Sequence, residues 1–227
     1  MKTIGILCAS DTELAPFLER IRVFRKTEKA MLTFHSGTLA QVPVVAVYSG
    51  VGKVNAAVAA QLLIDAFRVD VVINAGVAGG ISPEVRLFDT VAAERSAYHD
   101  MAEEILTEFH PWLPTASFPA DPPLLAALRQ FSARAGRPMR FGTIVSGEQF
   151  ISGGERERIR QAFHPLAVDM ETAAAAHVCH VNQVPFASVR TITDTADHDG
   201  ADDFEANCSA ASRIAAELVC SFLPEWA

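Results

Sequence analysis

A chain of 227 residues, half of them apolar and a fifth charged, has a globular composition and the length for one substantial core, so a single domain over residues 1–227 is expected. Its 27 acidic against 19 basic residues give a net charge of -8, which repels phosphate backbones and excludes a nucleic-acid partner in favour of a small molecule. The apolar part of MKTIGILCAS is too short for a signal-peptide core, and no stretch reaches the ~18 apolar residues of a membrane span. Cys8, Cys179, Cys208 and Cys220 form no CxxC pair, so we expect a cytoplasmic protein with reduced thiols and no membrane contact.

In chain order, β-branched apolar runs at residues 3–8, 42–48, 69–74, 90–98, 141–145 and 184–193 predict strands. The Ala-rich stretch 54–67 has the composition of a helix packed on a sheet. Residues 124–135 and 155–163 predict amphipathic helices, 171–181 is apolar nearly all round and predicts a buried one, and 204–222 predicts a C-terminal helix. The segment 100–122 carries four prolines and several aromatics and predicts a long loop, a feature that in compact domains is functional or disordered. Strands alternating with helices signify an α/β fold with a largely parallel sheet.

In such sheets ligands bind beyond the carboxyl ends of the strands. Those ends carry ASDTE (Asp11, Glu13), SGVGK, NAGVAGG and RTITD (Arg190, Asp194), while Asp169 and Glu171 flank Met170 where a short strand meets the buried helix. Singly, each has an ordinary reading. Glu13 is a helix cap; Gly76, Gly79 and Gly80 are packing or turn glycines; the GxxGG-type run matches neither a Walker loop nor a dinucleotide fingerprint. His177, Cys179 and His180 share a helix with no third ligand and read as structural, and the acidic run 194–200 lacks the spacing of a calcium loop. No metal and no cofactor are expected.

The segments SGVGKVNAA (49–57), NAGVAGG (74–80), YHD (98–100), VSGEQFI (145–151), VDMET (168–172), AHVCH (176–180) and VRTITDTAD (189–197) stand in the order and spacing of another family. They resemble the 5′-methylthioadenosine/S-adenosylhomocysteine nucleosidases over nearly the whole chain. The resemblance implies the nucleoside phosphorylase fold, a mixed, mostly parallel sheet surrounded by helices, and a homodimer acting on adenosines with a 5′-thio substituent. It implies Glu13 as the base that activates water, Arg190 as a holder of that water and of Glu13, and Glu171 as the partner of the ribose hydroxyls and developing cation. Asp194 is implied as the acid at N7 of adenine. Phe150 would stack on the base, the Ile151 backbone would read its edge, and Met170 would pack on the sugar.

The chemistry asks for the same residue types. Cleaving an N-glycosidic bond builds an oxocarbenium-like sugar and needs a protonated leaving group and an activated water. Two positions depart from the family: Val77 stands where serine is frequent and Ser10 where methionine is frequent. At the 5′ end the resemblance implies Val51 and Phe204, joined by Leu106, Phe109 and Pro114 on a divergent loop 101–122 that crosses to the neighbouring subunit. Two alternatives stand beside this reading. A futalosine-type hydrolase needs a cationic contact at the 5′ end that the sequence does not place, and a non-catalytic purine binder has no use for a water base.

Overall fold

The run IGILC is apolar at every position, and in the computed structural model, which describes residues 2–134, 136, 138–195 and 201–226, it forms β1 (Ile4–Cys8), buried on both faces. Ser10 then caps α1 (Asp11–Leu18) in a capping box: its side chain accepts from the Glu13 N–H while the Glu13 side chain accepts from the Ser10 N–H. An unpredicted hairpin follows, β2 (Arg22–Lys29) and β3 (Leu32–Leu39), leading into β4 (Val42–Tyr48). Helix α2 (Lys53–Asp65) begins at Gly52, whose φ of 102° is closed to residues with a side chain except under strain. It buries Ala56, Ala59, Ala60 and Leu63.

The third strand, expected to end at Asn74, runs on through the glycines of NAGVAGG as β5 (Val71–Gly80). Its glycines serve close approach, as developed below, and none has a positive φ. The chain continues through β6 (Thr90–Tyr98), α3 (Glu104–Thr107), β7 (Ser117–Pro119), α4 (Pro122–Arg134) and β8 (Arg140–Ser146). Then come α5 (Gly154–Phe163), β9 (Ala167–Asp169), α6 (Thr172–Val181), β10 (Phe186–Asp194) and α7 (Ala201–Trp226). The expected structureless loop 100–122 therefore contains a helical turn and a short strand, and it is anchored in its own chain through buried Leu106, Leu113 and Phe118.

The sheet runs β10-β6-β8-β9-β5-β1-β4-β3-β2, with β7 on β6 and a further pairing of β10 with β5 that closes five strands into a ring. It is mixed, with parallel pairs β4–β1–β5–β10 through its centre and antiparallel pairs such as β2–β3, β3–β4 and β10–β6 around them. Alternation sorts side chains to two layers: Ile4, Ile6 and Cys8 face a core with α1 and α7, and Leu7 faces a core with α2 and α6. No helix among the described residues is long and apolar enough to cross a membrane.

The HVCH segment behaves as a packing element. His177 Nδ1 lies 3.2 Å from the Tyr98 hydroxyl, its ring stacks on Phe118 with centroids 4.6 Å apart, and Cys179 is buried. Among the described residues no group of three or more His, Cys, Asp or Glu has the arrangement of a metal site. Of the acidic run 194–200, residues 196–200 lie outside the described residues.

Candidate active site

The carboxyl ends of β1, β5 and β10 and the junction of β9 with α6 converge on one pocket of about 240 Å³. Of the residues singled out in the sequence, Glu13, Glu171, Asp194, Ser10, Val51, Val77, Phe150, Ile151, Met170 and Phe204 line it. Arg190 does not: it is fully buried behind the pocket floor. Pro114 is exposed on the loop and does not line this chain's pocket, while Leu106 is buried in the core shared by α2 and α6.

Glu13 opens α1 and is only 3 % exposed. One carboxylate oxygen accepts from the backbone N–H groups of Ala9 and Ser10, the other from the Val77 N–H at 2.8 Å. The strand glycine explains how this is reached. A Cβ at Gly76 would stand 2.1 Å from Glu13 Oε1 and 2.7 Å from Arg190 Nη1, so only a residue without a side chain lets β5 pass beneath the carboxylate.

Arg190 links the acidic groups. Its Nη1 donates to Glu13 Oε1 at 3.4 Å, its Nη2 to Glu171 Oε2 at 3.3 Å, and its Nε lies 3.0 Å from Asp169 Oδ2. Asp169 also accepts from the Ser146 and Thr172 hydroxyls and from the backbone N–H groups of Glu171 and Thr172, fastening the start of α6. Glu171 takes a further hydrogen bond from the Gly52 N–H at 2.9 Å, at the N-terminus of α2, where the helix dipole favours negative charge. Burial pushes the Glu171 carboxyl up to about 7; Arg190 and the Gly52 N–H pull against this, and the charges of Asp169 and Glu13 add to it.

Asp194 ends β10 at 1 % exposure. Its Oδ1 accepts from the Thr193 hydroxyl at 2.8 Å and its Oδ2 from Arg156, a residue of α5 that the sequence reading did not single out. Opposite, Phe150 is 47 % exposed and meets Phe204 edge to face, with ring centroids 5.9 Å apart. This leaves an uncovered aromatic face against which a flat ligand can stack. Asp169, the residue that flanks Met170 opposite Glu171, also lines the pocket, as do Gln149 and Cys208, which the sequence did not mark as site residues. The pocket thus presents a carboxylate held by backbone donors at one place, a second whose proton is loosely decided at neutral pH, a third at a strand end, and an aromatic wall.

A family model described as the phosphorylase superfamily matches residues 3–224. The chain is 40% identical over 186 residues to the 5′-methylthioadenosine/S-adenosylhomocysteine nucleosidase of Actinobacillus succinogenes, covering 80% of this chain and 81% of that one. The corresponding nucleosidase of Neisseria meningitidis, solved in complex with methylthio-immucillin-A, superposes with a TM-score of 0.90 at 29% identity over 99% of this chain and 100% of that one. The futalosine hydrolase of Helicobacter pylori superposes with a TM-score of 0.90 at 28% identity over 99% of this chain and 98% of that one.

The raised Glu171 carboxyl has a signed consequence for stability. A group whose pKa rises on folding stabilises the fold fully below its unfolded value of about 4.3, and that contribution is lost as pH climbs through about 7. Glu171→Gln, neutral throughout, should therefore gain on the unsubstituted chain as pH rises from about 5 to about 8, by up to roughly 3 kcal/mol. Urea unfolding at both pH values reads the difference. A difference that does not change with pH rules out the raised carboxyl.

Proposed function

The chain belongs to the phosphorylase superfamily and, within it, to the 5′-methylthioadenosine/S-adenosylhomocysteine nucleosidase family, and from that premise we propose that it hydrolyses the N-glycosidic bond of 5′-thio-substituted adenosines. The products are adenine and the thioribose. The observation that carries the hydrolytic reading is the seat of Glu13. Superfamily chemistry that uses phosphate as nucleophile needs a cluster of donors beside the sugar. Here the backbone donors of Ala9, Ser10 and Val77 are already spent on the protein's own carboxylate. An incoming phosphate would meet a negative charge where it needs positive ones, whereas the same carboxylate is suited to take a proton from water.

The remaining roles are those the family resemblance implies, and the lining of the pocket supports them. Glu171, held by Gly52 and Arg190, faces the ribose and offsets the positive charge that builds there. Asp194 gives its proton to N7 as the C–N electron pair leaves with the base, Phe150 stacks on that base, the Ile151 backbone reads its edge, and Met170 packs on the sugar. Glu13 receives the proton of the attacking water, so the step conserves protons and both carboxyls reset by exchange with solvent. Arg190, without exposed surface, acts on the reaction through the carboxylates it binds. Glu13, Glu171 and Asp194 together at one pocket argue against a mere purine binder, which has no need of them. The similarity to a futalosine hydrolase keeps a 5′-carboxyphenyl nucleoside as the second substrate reading.

We further propose a two-fold symmetric homodimer in the cytoplasm. Ile105, Phe109 and Trp112 on loop 101–122, Val51 just before α2, and Val54 and Val58 on α2 are exposed apolar side chains whose burial favours association, with Pro114 carried to the neighbouring pocket. The cysteines are unpaired, with Cys8, Cys179 and Cys220 buried, in keeping with a reducing compartment.

Three measurements test these readings. Adenine release from methylthioadenosine should proceed at one rate with and without phosphate and yield free thioribose, and a sugar phosphate product would overturn the seat assigned to Glu13; adenosylhomocysteine and aminofutalosine run in parallel choose between the substrates. Asp194→Asn keeps shape but holds no acidic proton, so turnover should fall on the order of 10²-fold or more; near-normal turnover removes Asp194 as the acid. Sedimentation should return a dimer at assay concentrations, and a fully active monomer contradicts the shared pocket.

A further inference from the structure

Arg156 is 4 % exposed although it lies in the charged run GERERIR of α5. It stands three residues before the fully buried Ile159, so the two share the inward face of the helix. Its Nη1 donates to the Gly80 carbonyl oxygen at 2.6 Å and its Nη2 to Asp194 Oδ2. Arg156 does not line the substrate pocket; it borders a separate open groove with Gly80, Arg160 and Thr195. It therefore reaches Asp194 from outside the pocket.

The other groups around Asp194, among the described residues, are neutral. β5 presents the backbone of Ala78 and Gly79, β9 presents Val168, and Thr193 donates to Oδ1 while Asn207 of α7 donates to the Thr193 carbonyl. The carboxylates of Glu13, Asp169 and Glu171 border the same pocket but are engaged with Arg190. On α5 itself, Glu155 and Glu157 pair with Arg158 and Arg160 in solvent.

We propose that Arg156 is a positioning residue for cleavage: from behind the pocket it holds the Asp194 carboxyl and stabilises the anion that Asp194 becomes on giving up its proton. The inference rests on Asp194 being that acid. In the step, the Asp194 O–H bond breaks, its proton joins N7, and the electron pair of the C–N bond leaves with the base. Asp194 becomes an anion at that moment, and a guanidinium already in contact with it stabilises the developing charge without reorganisation. A neutral residue at 156 leaves that anion less stabilised, so it should slow proton donation and carry activity to higher pH.

The test is the pH dependence of kcat with saturating methylthioadenosine. Arg156→Gln should move the alkaline limb up by about one unit, the lower end of the effect of an adjacent opposite charge. Its plateau should drop on the order of tenfold, short of the loss of an acid. Arg156→Met, apolar in the same space, should move the limb as Gln does, and Arg156→Lys, which keeps the charge, should leave it in place. A loss of folded protein that is the same at every pH lowers the plateau without moving the limb. An unmoved limb in both neutral variants, or a Lys variant displaced as far as Gln, overturns the role. Asp194→Asn measured alongside separates the failures: an inactive Asn variant with an unmoved Gln limb overturns Arg156 alone, whereas an active one overturns the acid assignment itself.

Discussion

One guanidinium without solvent contact, that of Arg190, is shared by carboxylates from separate parts of the chain: Glu13 at the start of α1, Asp169 at the end of β9 and Glu171 at the start of α6. Burying a lone carboxylate is prohibitive, and removing one partner of a buried pair costs about 3–5 kcal/mol. Arg190 can carry this load because β10 lies inside the sheet, paired with β5 on one side and β6 on the other, so the cation cannot swing out. Burial raises the Glu171 carboxyl to about 7, and the negative charge left over by three acids against one cation adds to that rise. Structure and reactivity at the pocket are thus set by the same burial of charge.

That arrangement depends on backbone as much as on side chains. Glu13 and Glu171 each rest on main-chain N–H groups, from Ala9, Ser10 and Val77 for the first and Gly52 for the second. Such donors are fixed by strand register and helix start and cost no side-chain entropy to hold in place. The parallel pairing of Ile6 with Ile73 and Leu7 with Asn74 fixes β5 against β1, and that register brings Val77 N–H under Glu13.

The strands 42–48 and 90–98 and the buried helix at 172–181 were legible because their apolar pattern is unambiguous. The β2–β3 hairpin was not: RVFRKTEK is largely exposed, as the charged edge of a sheet must be to discourage further pairing, and such a strand offers no apolar alternation to read. NAGVAGG was legible as a strand only up to Asn74. Its glycines are open to a packing or a turn reading, and the packing one holds at Gly76, crowded by Glu13 and Arg190, and at Gly79, crowded by Asp194. The motif residues Glu13, Phe150, Met170, Glu171 and Asp194 meet at one pocket, while Arg156 escaped because a charge in ERERIR reads as solvated. Only its three-residue spacing from Ile159 marks it as inward, and spacing alone does not say what it meets.

Ser10 shows how a single position answers to both fold and pocket. As the N-cap of α1 its oxygen accepts from the Glu13 N–H at 3.2 Å, and its own N–H returns a bond to the Glu13 side chain. A residue without a side-chain acceptor forfeits the first of these bonds, worth about 1 kcal/mol, but keeps the second, so the seat of Glu13 tolerates the methionine frequent in the family. What changes is the wall. The serine side chain is smaller, its oxygen is engaged as an acceptor, and its hydroxyl proton is left to donate into the pocket, where Cys208 stands on α7 beside Phe204. The end of the pocket near Ser10 is therefore roomier and more donor-rich than a methionine would make it.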